Sequence, residues 1–532
     1  MSIEPLSKEK EGFTPGSVAT AYVLEAAPTE CGDPTSPVEI DSNASAIEKS
    51  LVRKLDLRIL PMAGFAYFLL FLDRSNIGNA RVAGLEKDLG LTGYDFNIGA
   101  CLFYVMYMVA EVPFSLVIKR FGFIFVPIMI TFFGTITLVT AWLNNRASFF
   151  AIRCLLGLGE AATMPGLAYL LSRYYRRTEL TARIGFFMLS AAGLAQAFGG
   201  LLSSGLLSVG NIGSVKSWRT IFLVEGLMTI GFGIVMIWVF PSDISTTKML
   251  TEPEREIALK RLAAEGPSGS RVKERTSSRL IFKAFFNVNT MACTYMYICD
   301  NITVQGLSIF TPTILRLNYP GSTTVKIQLL SAAPAIVAAV VALTACYVAM
   351  RTRSHGYVTI FGASLSVIGY GIWAGTNSSA IKVRYFAIFL NTTSGFIYGV
   401  GFSRARACQN GIRGVNLFHN HLSQPIVIGW AASNAAPDTV RAMTSAVTTG
   451  LGCIGSIAAT WSYIPSDAPT GYKIGNYLNC CTGASVIIVS LALMAYQRYE
   501  NRLRDRGGRD YRYQQEHQEE LGFHHPDFRY VH

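Results

Sequence analysis

The chain has 532 residues, of which 51% are hydrophobic and only 15% charged, and its mean hydropathy is +0.34. Soluble globular domains carry about 25% charged residues, so this composition points to a membrane protein and disfavours a soluble enzyme, a secreted disulfide scaffold or a disordered chain. A formal charge of +12 would suit nucleic acid only if the cations gathered on one soluble face. They are spread between long apolar runs instead, so no nucleic-acid partner is expected.

Residues 1–50 read as a disordered cytosolic tail, since 1–47 hold eight Asp/Glu against Lys8 and Lys10, with prolines at 5, 15, 28, 34 and 37. No basic segment followed by an apolar one marks a cleaved signal peptide. A helix needs about 20 apolar residues to cross the hydrocarbon core. Runs of that kind fall at 59–79, 97–118, 122–143, 148–171, 183–207 and 219–240. After a polar loop at 241–283 come 284–313, 326–350, 357–375, one starting near 384, 442–463 and 477–497. The expected fold is therefore an all-α membrane protein with twelve transmembrane helices in two six-helix pseudo-repeats, 51–240 and 284–497, followed by a cytosolic tail at 498–532.

Twelve spans put both termini on one side of the membrane. Residues 49–58 hold four Lys/Arg, the central loop nine and residues 498–512 six, which places both termini in the cytosol. The short loops are even, nine against ten, so the orientation rests on the termini and the central loop. Lys119-Arg120-Phe121-Gly122 after the second span is echoed by Arg351-Thr352-Arg353-Ser354-His355-Gly356 after the eighth, the trace of an internal repeat. Repeats of this kind build transporters with the substrate at the midplane.

A charge at a helix centre costs about 2.5–3.5 kcal/mol and usually faces a cavity or a partner. The carboxylates inside the spans are Asp73, Glu111, Glu160, Glu225 and Asp300, and the deep cations are Arg74 and Arg153. None of the seven histidines lies within the twelve spans as drawn, so carboxylates would have to carry protons. Arg153 and Glu160 are seven apart, two turns on one helix face. With Asp73-Arg74 they make a plausible charge network, a structural salt bridge being the plainer alternative. Glu111, before Pro113, and Glu225 read as anchors. Asp300-Asn301 in span seven is a functional candidate, and Gly157 and Gly159 are most simply helix-packing residues. The ten cysteines form no CxxC pair or zinc spacing, and no nucleophile elbow or phosphate loop occurs, so neither an enzyme nor a cofactor or metal is expected.

Leu55-Asp56-Leu57-Arg58 leads into Leu72-Asp73-Arg74-Ser75-Asn76-Ile77-Gly78-Asn79-Ala80. Glu111-Val112-Pro113, the Arg153–Glu160–Pro165 stretch, Trp218-Arg219-Thr220-Ile221-Phe222 through Glu225-Gly226, and Gly475-Asn476 follow. From about Lys49 to Asp510 the chain thereby resembles the major facilitator superfamily, in its anion:cation symporter branch and the fungal allantoate/nicotinate permease group. The resemblance implies uptake of a small organic anion with protons across the plasma membrane, by a monomer. It implies that Arg74 and Arg153 hold or gate the anion, that Asp73 and Glu160 are proton-linked, and that Gln196 and Asn434 are polar substrate-binding residues. Two departures stand out. Ser115 and Lys119 replace the first glycine and the aspartate of the family's Gly-x-x-x-Asp-x-x-Gly loop, as is usual in this branch. Near span eleven, Asn434-Ala-Ala-Pro437-Asp-Thr-Val440-Arg441 has proline for a glycine and valine for a basic residue.

Arginine binds a carboxylate through a planar fork. Burial favours a neutral carboxyl and a neighbouring arginine favours a carboxylate, so an arriving anion can release the carboxylate to take a proton. Proton-antiport efflux of a drug or metabolite is the competing reading. Span five carries Gly193-Leu-Ala-Gln196-Ala-Phe-Gly199-Gly200, without the proline such exporters commonly show. A nutrient sensor that binds without transport is a third reading.

Val400–Gln424 interrupts an apolar run and carries Arg404, Arg406, Arg413, His419 and His421. The run before it, Tyr385–Gly399, has 15 residues, and the run after it, Pro425–Ala431, has seven. Joined, they restore one span. The 25 codons between them are in frame, so the segment reads as a retained intron. The alternative is an insertion looping out of the membrane, with His419-x-His421 as a metal pair.

Overall fold

The structure is a computed structural model that describes residues 42–122, 124–175, 177–209, 217–239, 244, 247, 249–265, 285–352, 355–376, 380–399, 426–435, 438–514 and 522–531. The expected intron at 400–424 lies outside the described residues. Among the described residues every regular element is helical: α1 (Ser42–Val82), α2 (Leu85–Asp88), α3 (Asp95–Phe121), α4 (Phe125–Thr140), α5 (Arg146–Ala161), α6 (Thr163–Tyr174), α7 (Arg177–Val209), α8 (Ser217–Val239) and α9 (Glu252–Glu265). The second half continues with α10 (Val288–Asn318), α11 (Thr324–Thr352), α12 (His355–Gly375), α13 (Ile381–Gly399), α14 (Ile426–Ser433), α15 (Asp438–Thr460) and α16 (Lys473–Asp505). Short 3₁₀ turns follow at Pro465–Thr470, Asp510–Gln514 and Gly522–His524. Residues 46–532 form one compact unit, and of residues 1–45 only the start of α1 is described.

Each expected span has its helix. Seven helical stretches are long and apolar enough to cross a membrane, among them 47–82, 146–171 and 473–505. Their outward faces are apolar: Trp238, Ile488, Val340 and Phe386 are all exposed. Such surface is at home in lipid and a liability in water.

Three boundaries differ from the sequence reading. α1 begins at Ser42, inside the expected disordered tail. Ala44, Ala46, Glu48 and Lys49 are good helix formers with no proline among them, and Glu48 pairs with Arg261 of α9 at 3.1 Å. The fourth span is two helices, α5 and α6, parted at Ala162, because Pro165 lacks the N–H that would bond back to Ala161. α13 starts four residues before its apolar run and has 19 residues, about 28 Å at helical rise. It takes in Arg384, at the expected start of that span. Arg384 is buried there, donating to the carbonyls of Trp373, Thr376 and Gly471 and to Asn318 Oδ1 at 2.9–3.3 Å.

Local signals explain other ends. Asn145 caps α5, its side chain accepting from Ser148 N at 2.8 Å. Gly122 ends α3 with φ +77°, a left-handed conformation that favours glycine. Within the first half α4 packs on α8 and α3 on α5; within the second, α10 packs on α15 and α12 on α16. The halves meet where α7 lies along α11 and α3 along α15.

Candidate functional site

Asp73 and Arg74 lie about three-quarters of the way along α1, both buried. Arg74 Nε donates to Glu160 Oε2 at 2.8 Å, joining α1 to the last turn of α5. Asp73 Oδ1 accepts from Thr137 Oγ1 of α4 at 2.9 Å. The Arg153 guanidinium lies 4.7 Å from the centre of the Phe103 ring. Arg74 reaches the same ring at 5.4 Å and that of Tyr107 at 4.8 Å. Of the four expected charges, Arg74 and Glu160 form an ion pair between helices, and the Phe103 ring lies beside both cations.

A second buried layer lies one turn further along α1. Asn76 Nδ2 donates to Glu225 Oε2 at 2.8 Å, Asn79 Nδ2 to Asn76 Oδ1 at 2.9 Å, and Ser203 Oγ to Asn76 Oδ1 at 3.2 Å. These bonds tie α1, α7 and α8 together, and the anchor reading of Glu225 agrees with them.

Arg74 lines a cavity between the halves, of about 880 Å³ including its mouth. From the first half come Tyr67 and Arg74 of α1 and Tyr104, Tyr107 and Glu111 of α3; from the second come Tyr297, Asp300 and Asn301 of α10 and Gly452 and Ser456 of α15. Tyr104 Oη donates to Gln305 Oε1 at 3.0 Å across the halves. A smaller polar space of about 330 Å³ is lined by Gln196, Ser75 and Asn79 together with Ser308 and Thr311 of α10.

The bundle is closed at the end where α1 stops. Gly78 packs so tightly on α10 that a Cβ there would sit 2.1 Å from Ile309 O. Gln328 Nε2 donates to Asn79 O at 3.3 Å, Asn97 Nδ2 to Thr460 O at 2.5 Å and Tyr94 Oη to Ser466 Oγ at 3.3 Å. The cavity runs from these contacts towards the opposite end of the bundle, along Tyr104, Tyr107 and Glu111.

Of the residues singled out in the sequence, Arg74, Asp300 and Asn301 line the central cavity, and Gln196 lines the smaller one. Asp73, Arg153 and Glu160 stand behind Arg74 rather than on the wall. Asn434 lines neither of the two cavities described above. Its Nδ2 donates to Trp430 O at 3.1 Å and Val531 O at 2.9 Å, and its Oδ1 accepts from Val531 N at 2.8 Å. It is the clasp for the C-terminal segment, whose Phe523 and Tyr530 are buried. Glu111 is the opposite case, read as an anchor and found on the cavity wall. Its signal was the spacing of Tyr104, Tyr107 and Glu111, three and four apart, on one face of α3.

Two helix bundles around a polar cavity that is closed at one end form the architecture of a membrane transporter. The family model of the Major Facilitator Superfamily matches residues 63–460. A Penicillium expansum protein named MFS-type transporter cnsO is 33% identical over 511 residues, covering 92% of this chain and 91% of its own. Major facilitator-type transporter hxnP of Emericella nidulans is 30% identical over 508 residues, with 92% and 94% covered. Uncharacterized transporter C1039.04 of Schizosaccharomyces pombe is 29% identical over 460 residues, with 86% and 84% covered. Among solved structures, a D-xylose-proton symporter superposes with a TM-score of 0.61 at 12% identity, covering 81% of this chain and 96% of that one. A bacterial homolog to the human lysosomal transporter Spinster, inward-facing and occupied, gives 0.55 at 13% identity, with 83% and 96% covered. This chain belongs to the Major Facilitator Superfamily and is a multi-pass membrane transporter.

Proposed function

We propose that the protein is a proton-coupled importer of a small organic anion, in the anion:cation symporter branch and near its allantoate/nicotinate permease group. It works as a monomer in the plasma membrane with both termini cytosolic, its moving halves being 51–240 and 284–497. The observation that carries this reading is the buried Arg74–Glu160 pair at 2.8 Å, whose arginine lines a cavity between the halves.

Arg74 is bound to Glu160 through Nε, while its Nη2 is buried with no partner among the described residues. A substrate carboxylate engages the guanidinium fork. Glu160 then shares its cation with a second anion and takes a proton, since burial favours its neutral form once the arginine is drawn away. Asp73 and Arg153 complete the relay from behind, and Gln196 lines the path towards the closed end. The loaded, electrically relieved site allows the halves to rock between their two arrangements.

The test is uptake by a host lacking organic-acid transport, scored on vitamins, allantoate and sugar acids. Uptake should rise with external acid. Glu160→Gln should abolish accumulation yet keep substrate exchange. Accumulation by Glu160→Gln against a gradient, still driven by external acid, would remove Glu160 from the mechanism. Acid-driven release in place of uptake would make the protein an exporter.

A further inference from the structure

Arg74 and Asp300 stand on walls of the same cavity contributed by different halves, one on α1 and the other on α10. They are 8% and 3% exposed. Each keeps a buried polar atom, Arg74 Nη2 and Asp300 Oδ1, with no hydrogen-bond partner among the described residues. Buried polar groups are nearly always partnered, so an orphan donor and an orphan acceptor on facing halves mark the two ends of what the cavity takes.

The charges on the wall narrow the choice. Among the described residues Arg74 is its one cation, already paired with Glu160, and Glu111 and Asp300 are both carboxylates. A plain anion would gain Arg74 and leave the Asp300 acceptor without a donor. A molecule with a carboxylate at one end and an N–H or ammonium group at the other supplies that donor. Tyr67, Tyr104, Tyr107 and Tyr297 line the same space, and aromatic rings attract a cationic nitrogen group. Beside Asp300, Asn301 is held in place. Its Nδ2 donates to Tyr297 O at 3.0 Å, and its Oδ1 accepts from Ser456 Oγ at 3.5 Å. Gly452 keeps this corner open, since a Cβ there would lie 2.5 Å from the Tyr297 ring and 3.2 Å from Asn301 Nδ2.

We propose that Asp300 determines specificity by accepting a hydrogen bond from a nitrogen-bound hydrogen of the substrate. The cargo is then an amphoteric small molecule with its carboxylate on Arg74 and its ammonium or amide N–H on Asp300. This rests on the anion reading above and names the substrate class of the same site.

Thermal stabilisation of the purified full-length protein in detergent tests it. The probes are straight-chain carboxylates of three to six carbons, the same chains ending in an amino or a carbamoyl group, and the matching amines without carboxylate. The nitrogen-bearing carboxylates should bind about tenfold or more tightly than the plain ones, the range of a hydrogen bond to a charged group. Asp300→Asn should lose the preference for the amino members, and Asp300→Leu the preference for both series. Glu254→Gln, on α9 and outside the cavity, should keep them. Equal binding of plain and nitrogen-bearing carboxylates overturns this inference and leaves the anion reading standing. Loss of discrimination in Glu111→Gln with none in Asp300→Asn also overturns it. Absence of stabilisation by every carboxylate removes the anion reading and this inference with it.

Discussion

The two halves repeat one helical frame but fill it with different chemistry. The first half buries Asp73, Arg74, Arg153, Glu160 and Glu225 among α1, α5 and α8. The second half joins α10 to α15 and α16 by neutral pairs: Thr290 with Thr444 and Thr294 with Thr448, both at 3.1 Å, and Thr303 with Asn479 at 3.0 Å. It relies on close backbone approach as well, since a Cβ on Gly455 would sit 2.1 Å from Ile298 O. Hydroxyl bonds between membrane helices are worth about 0.6 kcal/mol each, whereas a buried charge stripped of its partner costs several. The neutral half is therefore a scaffold whose contacts are individually dispensable. The charged half is balanced so that removing one charge upsets it, which is what a proton-driven switch requires. Arg384 and Asp300 are exceptions, buried charged residues of α13 and α10, and Asp300 is the acid turned to the shared cavity.

Arg74→Leu should break this balance most. It strands Glu160 and should destabilise the protein by about 3–5 kcal/mol, read as a lower unfolding temperature in detergent. Arg74→Leu/Glu160→Leu should recover most of that loss while remaining inactive in transport. A single variant as stable as the parent would show the first half to be no more charge-dependent than the second.

The interface between halves comes next. Gly78→Val places a side chain where Ile309 O now lies, an overpacking cost of about 1–3 kcal/mol that falls only on the closed arrangement. A cysteine introduced at Thr311, in the smaller cavity, should then react faster with an impermeant maleimide added at the face where α1 ends. No change in labelling would mean that the Gly78 contact does not hold the bundle shut.

Asn434→Ala sharpens the contrast at the other end of the second half. It removes three hydrogen bonds, two of them to Val531, and should loosen the C-terminal segment by about 1–3 kcal/mol. Faster proteolysis within 522–531 and an unchanged KM for uptake are expected. A raised KM with the segment still protected would return Asn434 to the substrate path.

The smallest effect lies outside the membrane. Burial pushes the Glu254 carboxyl up, but hydrogen bonds from Lys54 and Thr251 outweigh it and hold the group below its ordinary value. A carboxyl depressed on folding stabilises above its unfolded pKa, and that contribution fades as pH falls through the folded value. The 2.7 Å tether from α9 to Lys54 should therefore weaken only in the acid range below the usual carboxylate value. With Lys54 largely exposed, its contribution is about 0.5 kcal/mol. Glu254→Gln should make cleavage of the central loop equally fast on both sides of that range.

The sequence by itself determined the membrane class, the two halves and the approximate place of every span, because hydropathy is local and adds along the chain. Asp73-Arg74 and Glu160 were also legible as intramembrane charges, since their expense shows in an apolar run whatever surrounds them. Only the tertiary structure decided which charge meets which. Arg74 could have paired with any of several carboxylates, and the rotation and crossing of α1 and α5 give it Glu160, 86 residues away. The same holds for Glu111, whose place on the wall depends on which face α3 turns inward, and for Asn434, whose partner is 97 residues on, at Val531. Hydrophobic periodicity says how long a helix is and which residues it exposes to lipid. The azimuth of each helix is set by packing against its neighbours, and on that azimuth the chemistry of the cavity depends.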